Sequence, residues 1–410
     1  MATETKLKYL EDIFSSVGRD VLLEILISCD GSVEQTESLL SEQFPVDTKR
    51  KAKSAAVSGH QKKSKYQRSI SQLIDSNSLP TKVESTSKKM RLFTKEEIEA
   101  SVPYVTFKRD FLPAEVANSL LEELLSKQDI FTPNTFFIAG NKCVANHKTK
   151  VFTASDDDER LQYDVELSGG KLDMGSFGDS MRIVQCLVED EVEALSQSRE
   201  KHDFQPKTKW TGDIVVANLF CEKSSNLDWH SDRLTKIGPL PVIASISVGA
   251  TRDFRIRKIH PFNKNPNPII SIPLPHNTLL VMHAGFQEEY KHSVAPSSGP
   301  IEGHPISGQK RFSLTYRQYH PGLVDCAPTC SKCGSAMLLR RMYKKVENRG
   351  KYYWSCMGSY ANKECKGFYW ANFRNLDTPN SKVYTTEESE CSEWIADDDT
   401  AKAAYLMTRS

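Results

Sequence analysis

Trp210-Thr-Gly-Asp-Ile-Val-Val-Ala-Asn-Leu-Phe-Cys-Glu-Lys-Ser-Ser-Asn-Leu-Asp-Trp-His-Ser-Asp232 is the stretch on which the reading of this chain turns. Asp213 to Ala217 is β-branched and apolar, with Gly212 before it and polar residues beyond. It therefore reads as a buried strand that leads to a polar turn. That turn ends in His230-Ser231-Asp232. An imidazole and a carboxylate two residues apart supply two ligands of a 2-His-1-carboxylate facial triad, which leaves positions open on a non-haem Fe(II) for a keto acid and dioxygen. Alone, the pair also fits a solvated surface turn, so its meaning depends on the rest of the chain.

Downstream, Pro241 to Gly249, Asp253 to Arg257 and Asn277 to Met282 are short β-rich runs, spaced as in a sandwich or barrel. His292 opens another strand-like piece. Arg311-Phe-Ser-Leu-Thr-Tyr-Arg317 alternates strictly, which puts Arg311, Ser313, Thr315 and Arg317 on one face. Two arginines on an inward polar face need an anion.

In order, Asn218-Leu-Phe220, His230-Ser-Asp232, His292 and Arg311-x-Ser313-x-Thr315-x-Arg317 resemble the AlkB family of Fe(II)- and 2-oxoglutarate-dependent dioxygenases. The resemblance covers roughly residues 100 to 320. It implies a double-stranded β-helix (jelly-roll) core, with Fe(II) on His230, Asp232 and His292. His292, rather than His276 or His283, stands at the spacing that family uses. The resemblance further implies 2-oxoglutarate contacts from Asn218, Phe220, Arg311, Ser313 and Arg317, with Arg311 on the distal carboxylate. The implied reaction is oxidative removal of N-alkyl groups from nucleic-acid bases, in DNA alkylation repair. Two positions depart from the pattern. Phe220 stands where Tyr is usual, which removes a hydrogen bond worth about 1 kcal/mol net. Leu234 stands where DNA-repair members often carry an acidic residue that contacts the damaged base.

A chain of 410 residues with 39% hydrophobic content is long enough for two to four domains, with ordinary cores and polar stretches between them. There is no run of 18 apolar residues and no signal peptide is read, so the expectation is an intracellular chain. Its ten Cys would then serve as thiols and metal ligands rather than disulfides. The net charge of +1 hides segregation: residues 48 to 95 carry thirteen Lys/Arg against two acids, and residues 330 to 374 carry ten against two.

The chain divides into five segments. Residues 5–44 repeat apolar residues at helical spacing, and Ser32 with Gln35 forms a capping box. Three short helices with Ile13-Phe14 and Leu39-Leu40 resemble a CUE or UBA-type domain, which implies ubiquitin or a ubiquitinated protein as partner. Residues 45–95 read as a disordered basic linker, with clusters Lys49–Lys53 and Lys62–Lys65 that suit nuclear import or phosphate contact. Residues 96–322 are the expected oxygenase domain. In 326–375, the C-x2-C knuckle Cys330 and Cys333, with Cys356 and Cys365, reads as a Zn(II) site of four thiolates. Gly350-Lys351-Tyr352 around these ligands resembles the GRF-type zinc finger, which implies binding of single-stranded DNA, with RNA as the other candidate. Lys and Arg interleaved with Tyr343, Tyr352, Tyr353, Phe368, Tyr369 and Trp370 suit phosphates and stacked bases. Residues 376–410 are expected to be a disordered acidic tail. The alternatives are a 2-oxoglutarate oxygenase of protein or RNA, and a non-catalytic adaptor bridging ubiquitin to DNA.

Overall fold

The computed structural model describes residues 3–14, parts of 19–26, 32–41, 89–138, 141–154, 174–261, 267–324, 326–358, 365–376, 378 and 381–408. It divides into two compact units, Met1–Lys88 and Lys89–Ser410.

In the first unit, helices Thr3–Ile13 and Val33–Ser41 pack on each other. Leu7, Leu10, Ile13, Phe14 and Leu40 are buried. Ile13, Phe14 and Leu40 are among the residues that the likeness to ubiquitin-binding domains singles out, so here they serve as core. The basic clusters between Lys49 and Lys65 lie outside the described residues.

The second unit is built on two facing sheets of jelly-roll type. In chain order the strands are β1 (Lys89–Arg91), β2 (Val105–Arg109), β3 (Thr132–Ile138), β4 (Asn141–Thr153), β5 (Met174–Ser176), β6 (Ile214–Phe220), β7 (Leu227–His230), β8 (Ile243–Gly249), β9 (Arg252–Lys258), β10 (Ile269–Leu274), β11 (Thr278–Met282), β12 (Tyr290–Val294) and β13 (Arg311–Arg317). The larger sheet runs β2-β11-β8-β13-β6-β4-β3, with β5 on β4, and the smaller runs β1-β10-β9-β12-β7.

Period-two alternation decides which way each strand faces. Val215, Ala217 and Leu219 of β6 meet helices Ala114–Ser126 and Asp179–Ser196 on the outside of the large sheet. Those helices offer Leu120, Leu121, Leu124, Val184, Val188 and Val192 at helical spacing. Truncating the fully buried Leu121 to Ala there would cost about 2–5 kcal/mol. Ile214 and Phe220 point the other way, into the space between the sheets, with Leu280, Ile256 and Ile272. Polar residues on that inner face are what form the site.

Two expected boundaries move. Residues 89–95, assigned to the linker, are part of the fold: β1 pairs in parallel with β10, and Thr94 caps helix Lys95–Ser101 in a capping box with Glu97. Alternation of Met90 and Leu92 between basic residues was too short a signal to read as a strand. The acidic tail, expected to lack order, also folds. After β14 (Met337–Arg341), β15 (Tyr352–Cys356) and β16 (Phe368–Ala371), the tail adds β17 (Tyr384–Thr385) to the same sheet, and helix Thr400–Met407 comes after it. Val383 and Ala396 are buried, and the wholly buried Lys402 pairs with Glu393 at 2.6 Å. Isolated apolar residues set among acids carry no periodicity, so order here comes from docking rather than pattern.

Candidate active site and thiol cluster

His230 ends β7 and His292 lies in β12, and the two are direct partners across the ladder. Their ring centroids are 4.2 Å apart. Asp232 lies just past the turn, with Oδ1 at 3.7 Å from His230 Nε2 and 3.8 Å from His292 Nε2. The three ligand atoms lie within 4.8 Å of one another, a spacing that suits donors on one face of a single small cation.

Each donor is oriented from behind. Asp228 O accepts a hydrogen bond at 2.7 Å from His230 Nδ1, which leaves the Nε2 lone pair free to ligate. Arg317 directs Nε (2.8 Å) and Nη2 (2.7 Å) at Asp232 Oδ2, so Oδ1 faces the imidazoles. The Asp232 N–H donates to Gln287 Oε1 at 2.7 Å, and Ser231 Oγ donates to Tyr290 O at 2.8 Å. Burial alone would raise the Asp232 carboxyl, but Arg317 and the two imidazoles outweigh it and hold it down at about 2. Burial, with His230 nearby, pushes His292 down to about 3, so its ring is neutral and able to ligate. The donor set therefore fits Fe(II).

Beside these residues a cavity of about 380 Å³ runs inward between the sheets, lined by Asn218, Ser313, Thr315, Arg311 and His147 among others. Arg311 is 1% exposed, and Nη2 donates to Ser247 Oγ at 2.7 Å, while Nε and Nη1 have no hydrogen-bond partner among the described residues. Burial, with Arg252 nearby, lowers its pKa to about 9. A buried guanidinium with two idle donors and, among the described residues, no acid on it is a receptor for an anion, and a planar fork matches a carboxylate. The cavity thus fits a keto acid with a carboxylate at its deep end.

Sequence reading brought Asn218, Phe220, Ser313 and Arg317 to this cofactor, and the structure gives each a distinct place. Asn218 lies opposite Ser313 across β6 and β13 and accepts from Thr149 Oγ1 at 2.9 Å. Phe220 is fully buried beneath Arg311, whose Cζ is 5.2 Å from the ring centroid, with Arg252 Cζ at 5.7 Å. The ring supports two guanidinium groups in place of the hydroxyl that Tyr would bring. Arg317 faces the metal-side carboxylate rather than the deep end. His283 is bound to Thr106 Oγ1 at 2.8 Å and His276 is stacked on His304 at 4.2 Å, both in other parts of the fold.

Two further participants, Arg252 and Gln287, had no sequence signal; a third, His147, reads from sequence either as a nucleic-acid contact in a covering segment or as part of an exposed hairpin. Arg252 donates to the carbonyls of Glu222, Ser225 and Ala295 and braces the loop before β7. His147 stacks on Phe220 at 5.5 Å and binds Asn226 O at 2.8 Å, and burial pushes it down to about 4. Gln287 lies in a one-turn helix that no motif marks. Leu234, at the position where base contact was in question, instead packs with Leu339 and Trp354 of the C-terminal module.

In that module the four sulfurs of Cys330, Cys333, Cys356 and Cys365 also lie within 4.8 Å of one another. Neighbouring pairs are 3.3–3.6 Å apart. Tyr352 and Trp354 are buried core, whereas Tyr353 stacks on Phe368 at 5.5 Å and Phe368 meets Trp370 edge-on at 4.9 Å. Phe368 is 41% exposed, and Arg340 lies opposite Tyr353 on the adjacent strand.

A family model described as the 2OG-Fe(II) oxygenase superfamily matches residues 104–317. The chain is 37% identical to alpha-ketoglutarate-dependent dioxygenase alkB homolog 3 of Mus musculus over 125 residues, 30% of this chain and 41% of that protein. It is 28% identical to DNA oxidative demethylase ALKBH2 of Homo sapiens over 114 residues, 27% of this chain and 41% of that one. The chain thus spans about two fifths of the length of the curated relatives it matches. The solved structure of OsALKBH1 is similar over 52% of this chain and 96% of its own, at 17% identity and a TM-score of 0.38.

Proposed function

The chain belongs to the 2OG-Fe(II) oxygenase superfamily, and from that premise we propose that it is an Fe(II)- and 2-oxoglutarate-dependent dioxygenase that removes N-alkyl groups from nucleic-acid bases in DNA alkylation repair. The observation that carries this is the His230, Asp232 and His292 triad set beside a cavity lined by Arg311, whose Nε and Nη1 have no partner among the described residues. The printed names of the relatives, one a dioxygenase and one a DNA oxidative demethylase, support the reaction class.

Bound iron supplies the oxidation itself, in which N-methyl, dioxygen and 2-oxoglutarate become N-hydroxymethyl, succinate and carbon dioxide, and the hydroxymethyl base then loses formaldehyde. The chain's own part is placement and charge. Arg311 neutralises the distal carboxylate, and its charge was already desolvated, so binding adds little further desolvation cost on the protein side. Ser313 and Asn218 line the cavity wall beside it. Arg317 keeps Asp232 ionised with one oxygen turned to the imidazoles. His147, held neutral, lines the cavity without adding charge. A base must leave the stack, or be single-stranded already, to reach this depth.

Zinc in the four-thiolate site would brace the C-terminal module, whose Arg340, Tyr353, Phe368 and Trp370 offer a stacking and phosphate-binding surface for single-stranded DNA. Ubiquitin docking is proposed for the first unit; since Ile13, Phe14 and Leu40 are core, the contact would use the surface next to them. The basic clusters between Lys49 and Lys65 support a nuclear location.

The test is to incubate the iron-loaded full chain and 2-oxoglutarate with N-methylated single-stranded DNA, RNA and peptides, measuring succinate and formaldehyde. Stoichiometric release of both from DNA, lost in His292→Ala, is expected. Succinate released with peptides while no oligonucleotide yields formaldehyde would overturn the substrate class.

A further inference from the structure

Two of the three metal ligands are flanked by helices of a single turn. Leu234–Ile237 begins two residues after Asp232, and Phe286–Glu289 ends three residues before His292. A helix of four residues has no stability of its own, because nucleation costs more than one or two backbone bonds return. Its position is set by whatever it docks against. Both turns dock against the C-terminal module.

At the first turn, Leu234 is buried among Met337, Leu339 and Trp354, and Thr235 Oγ1 accepts from the Leu339 N–H at 3.2 Å. At the second turn Gln287, Glu288 and Glu289 each have their own tie. Gln287 Oε1 holds the Asp232 N–H at 2.7 Å. Glu288 Oε1 accepts from the Leu240 N–H at 2.8 Å and from Tyr352 Oη at 3.3 Å, and its backbone carbonyl accepts from Arg341 Nη1 at 3.0 Å. Glu289 pairs with Arg341 Nη2 at 3.0 Å. Arg341 is itself fixed by the Trp394 carbonyl. Gly285, which enters the turn at φ +92°, is backed so closely by Tyr104 and Trp394 that a Cβ would stand 2.5 Å and 3.0 Å from their rings.

We propose that the C-terminal module, 326–408, is a positioning element of the iron site, so that the affinity of His230, Asp232 and His292 for a divalent cation depends on the module being folded and docked through Arg341. The route is short: Arg341 and Tyr352 hold the turn 286–289, Gln287 on that turn holds the backbone of Asp232, and the strand leaving the turn carries His292. Simple burial of apolar surface between two domains does not require these polar ties to converge on the two turns that carry ligands. The inference rests on the reading of the triad as a metal site, and makes no use of the substrate.

Mn(II) is the probe, since carboxylate and imidazole take it while thiolates prefer softer ions, and loss of its free EPR signal reports occupancy directly. Zinc content is measured separately by release to a chromogenic chelator. In the full chain, Arg341→Gln is expected to keep its zinc and bind Mn(II) about tenfold more weakly, within the range seen when groups behind metal ligands are removed. Arg341→Lys, which keeps the ion pair with Glu289 and loses the fork, should recover part of the affinity. The zinc-free Cys330→Ser/Cys333→Ser chain should bind Mn(II) at least as weakly as Arg341→Gln. The exposed Arg374→Gln in the same module should match the parent. If the cysteine variant does not fold, Arg341→Gln decides alone. Unchanged Mn(II) affinity in Arg341→Gln, with or without its zinc, overturns the proposal, as does an equal loss in Arg374→Gln. Failure to demethylate oligonucleotides would strike the proposed reaction and leave this result standing; a flat Mn(II) response would do the reverse.

Discussion

Replacing Arg311 with Met should make the ligand-free protein more stable while abolishing its response to 2-oxoglutarate. The guanidinium is 1% exposed, has no acidic partner among the described residues, and is pushed down to about 9 by burial. Desolvation disfavours its charge, and replacing buried ionic groups by well-packed apolar residues of similar volume is often stabilising by about 1–4 kcal/mol. Loss of the bond to Ser247 and of packing on Phe220, about 1–2 kcal/mol, puts the expected net gain in the lower part of that range, at about 1–2 kcal/mol. For a unit of this size that is a rise of several °C in melting temperature, at about 2–4 °C per kcal/mol. In the parent, two charge-assisted bonds to a carboxylate at about 1.5–3 kcal/mol each predict a loss of roughly 10²–10⁴ in keto-acid affinity on substitution. Thermal unfolding with Mn(II), with and without 2-oxoglutarate, reads both quantities in one instrument. A variant that melts lower than the parent and still shifts with 2-oxoglutarate would refute the assignment of Arg311 as an anion receptor waiting for its ligand.

The same geometry sets other outcomes. Arg317→Met should leave Asp232 buried without its cation and lower Mn(II) affinity about 10–100-fold, read by EPR titration, with 2-oxoglutarate binding at saturating metal less affected. Acid should destabilise the apo protein early. His147, His283 and His292 are pushed below their ordinary 6.5 to about 4, 3 and 3, so the unfolded chain takes up protons first and stability falls as pH drops from 6.5 toward 4. Denaturant midpoints measured across that range should flatten in His283→Asn, which lies away from the metal. Phe368→Ala and Trp370→Ala should each weaken single-stranded DNA binding by about 1–3 kcal/mol, seen by fluorescence anisotropy, with succinate release from a free methylated nucleoside unchanged.

The parts of the site that sequence makes legible are those where strand alternation and side-chain chemistry coincide. Arg311, Ser313 and Arg317 share a face because the period of a strand is two, and β13 presents them inward in that register. His230 and His292 are brought together by register across β12 and β7, which no local pattern encodes; only the order of motifs implied it. The separate tasks of the two arginines were not legible, because alternation gives a face and not a distance along it. Gln287 and Arg252 act through backbone groups, and any residue can offer those, so no residue-type pattern marks their targets. The ordered tail shows the same limit from another side: the Trp394 carbonyl accepts from Arg341 and Lys402 donates to the Glu347 carbonyl, partners more than fifty residues away in sequence.

The short strand that precedes the oxygenase helices has a practical consequence for anyone trimming this protein. β1 pairs with the outer edge of β10 through Lys89, Met90 and Arg91, and Leu92 N–H continues the ladder to Ser271. A chain cut to begin at residue 96 would strip that cover and leave the backbone of Ile269–Leu274 open, with Ile270 and Ile272 behind it. Bare strand edges recruit one another, and the charged residues that now guard this one would be gone. Such a fragment should clump on concentration even though every ligand and arginine of the site is still present.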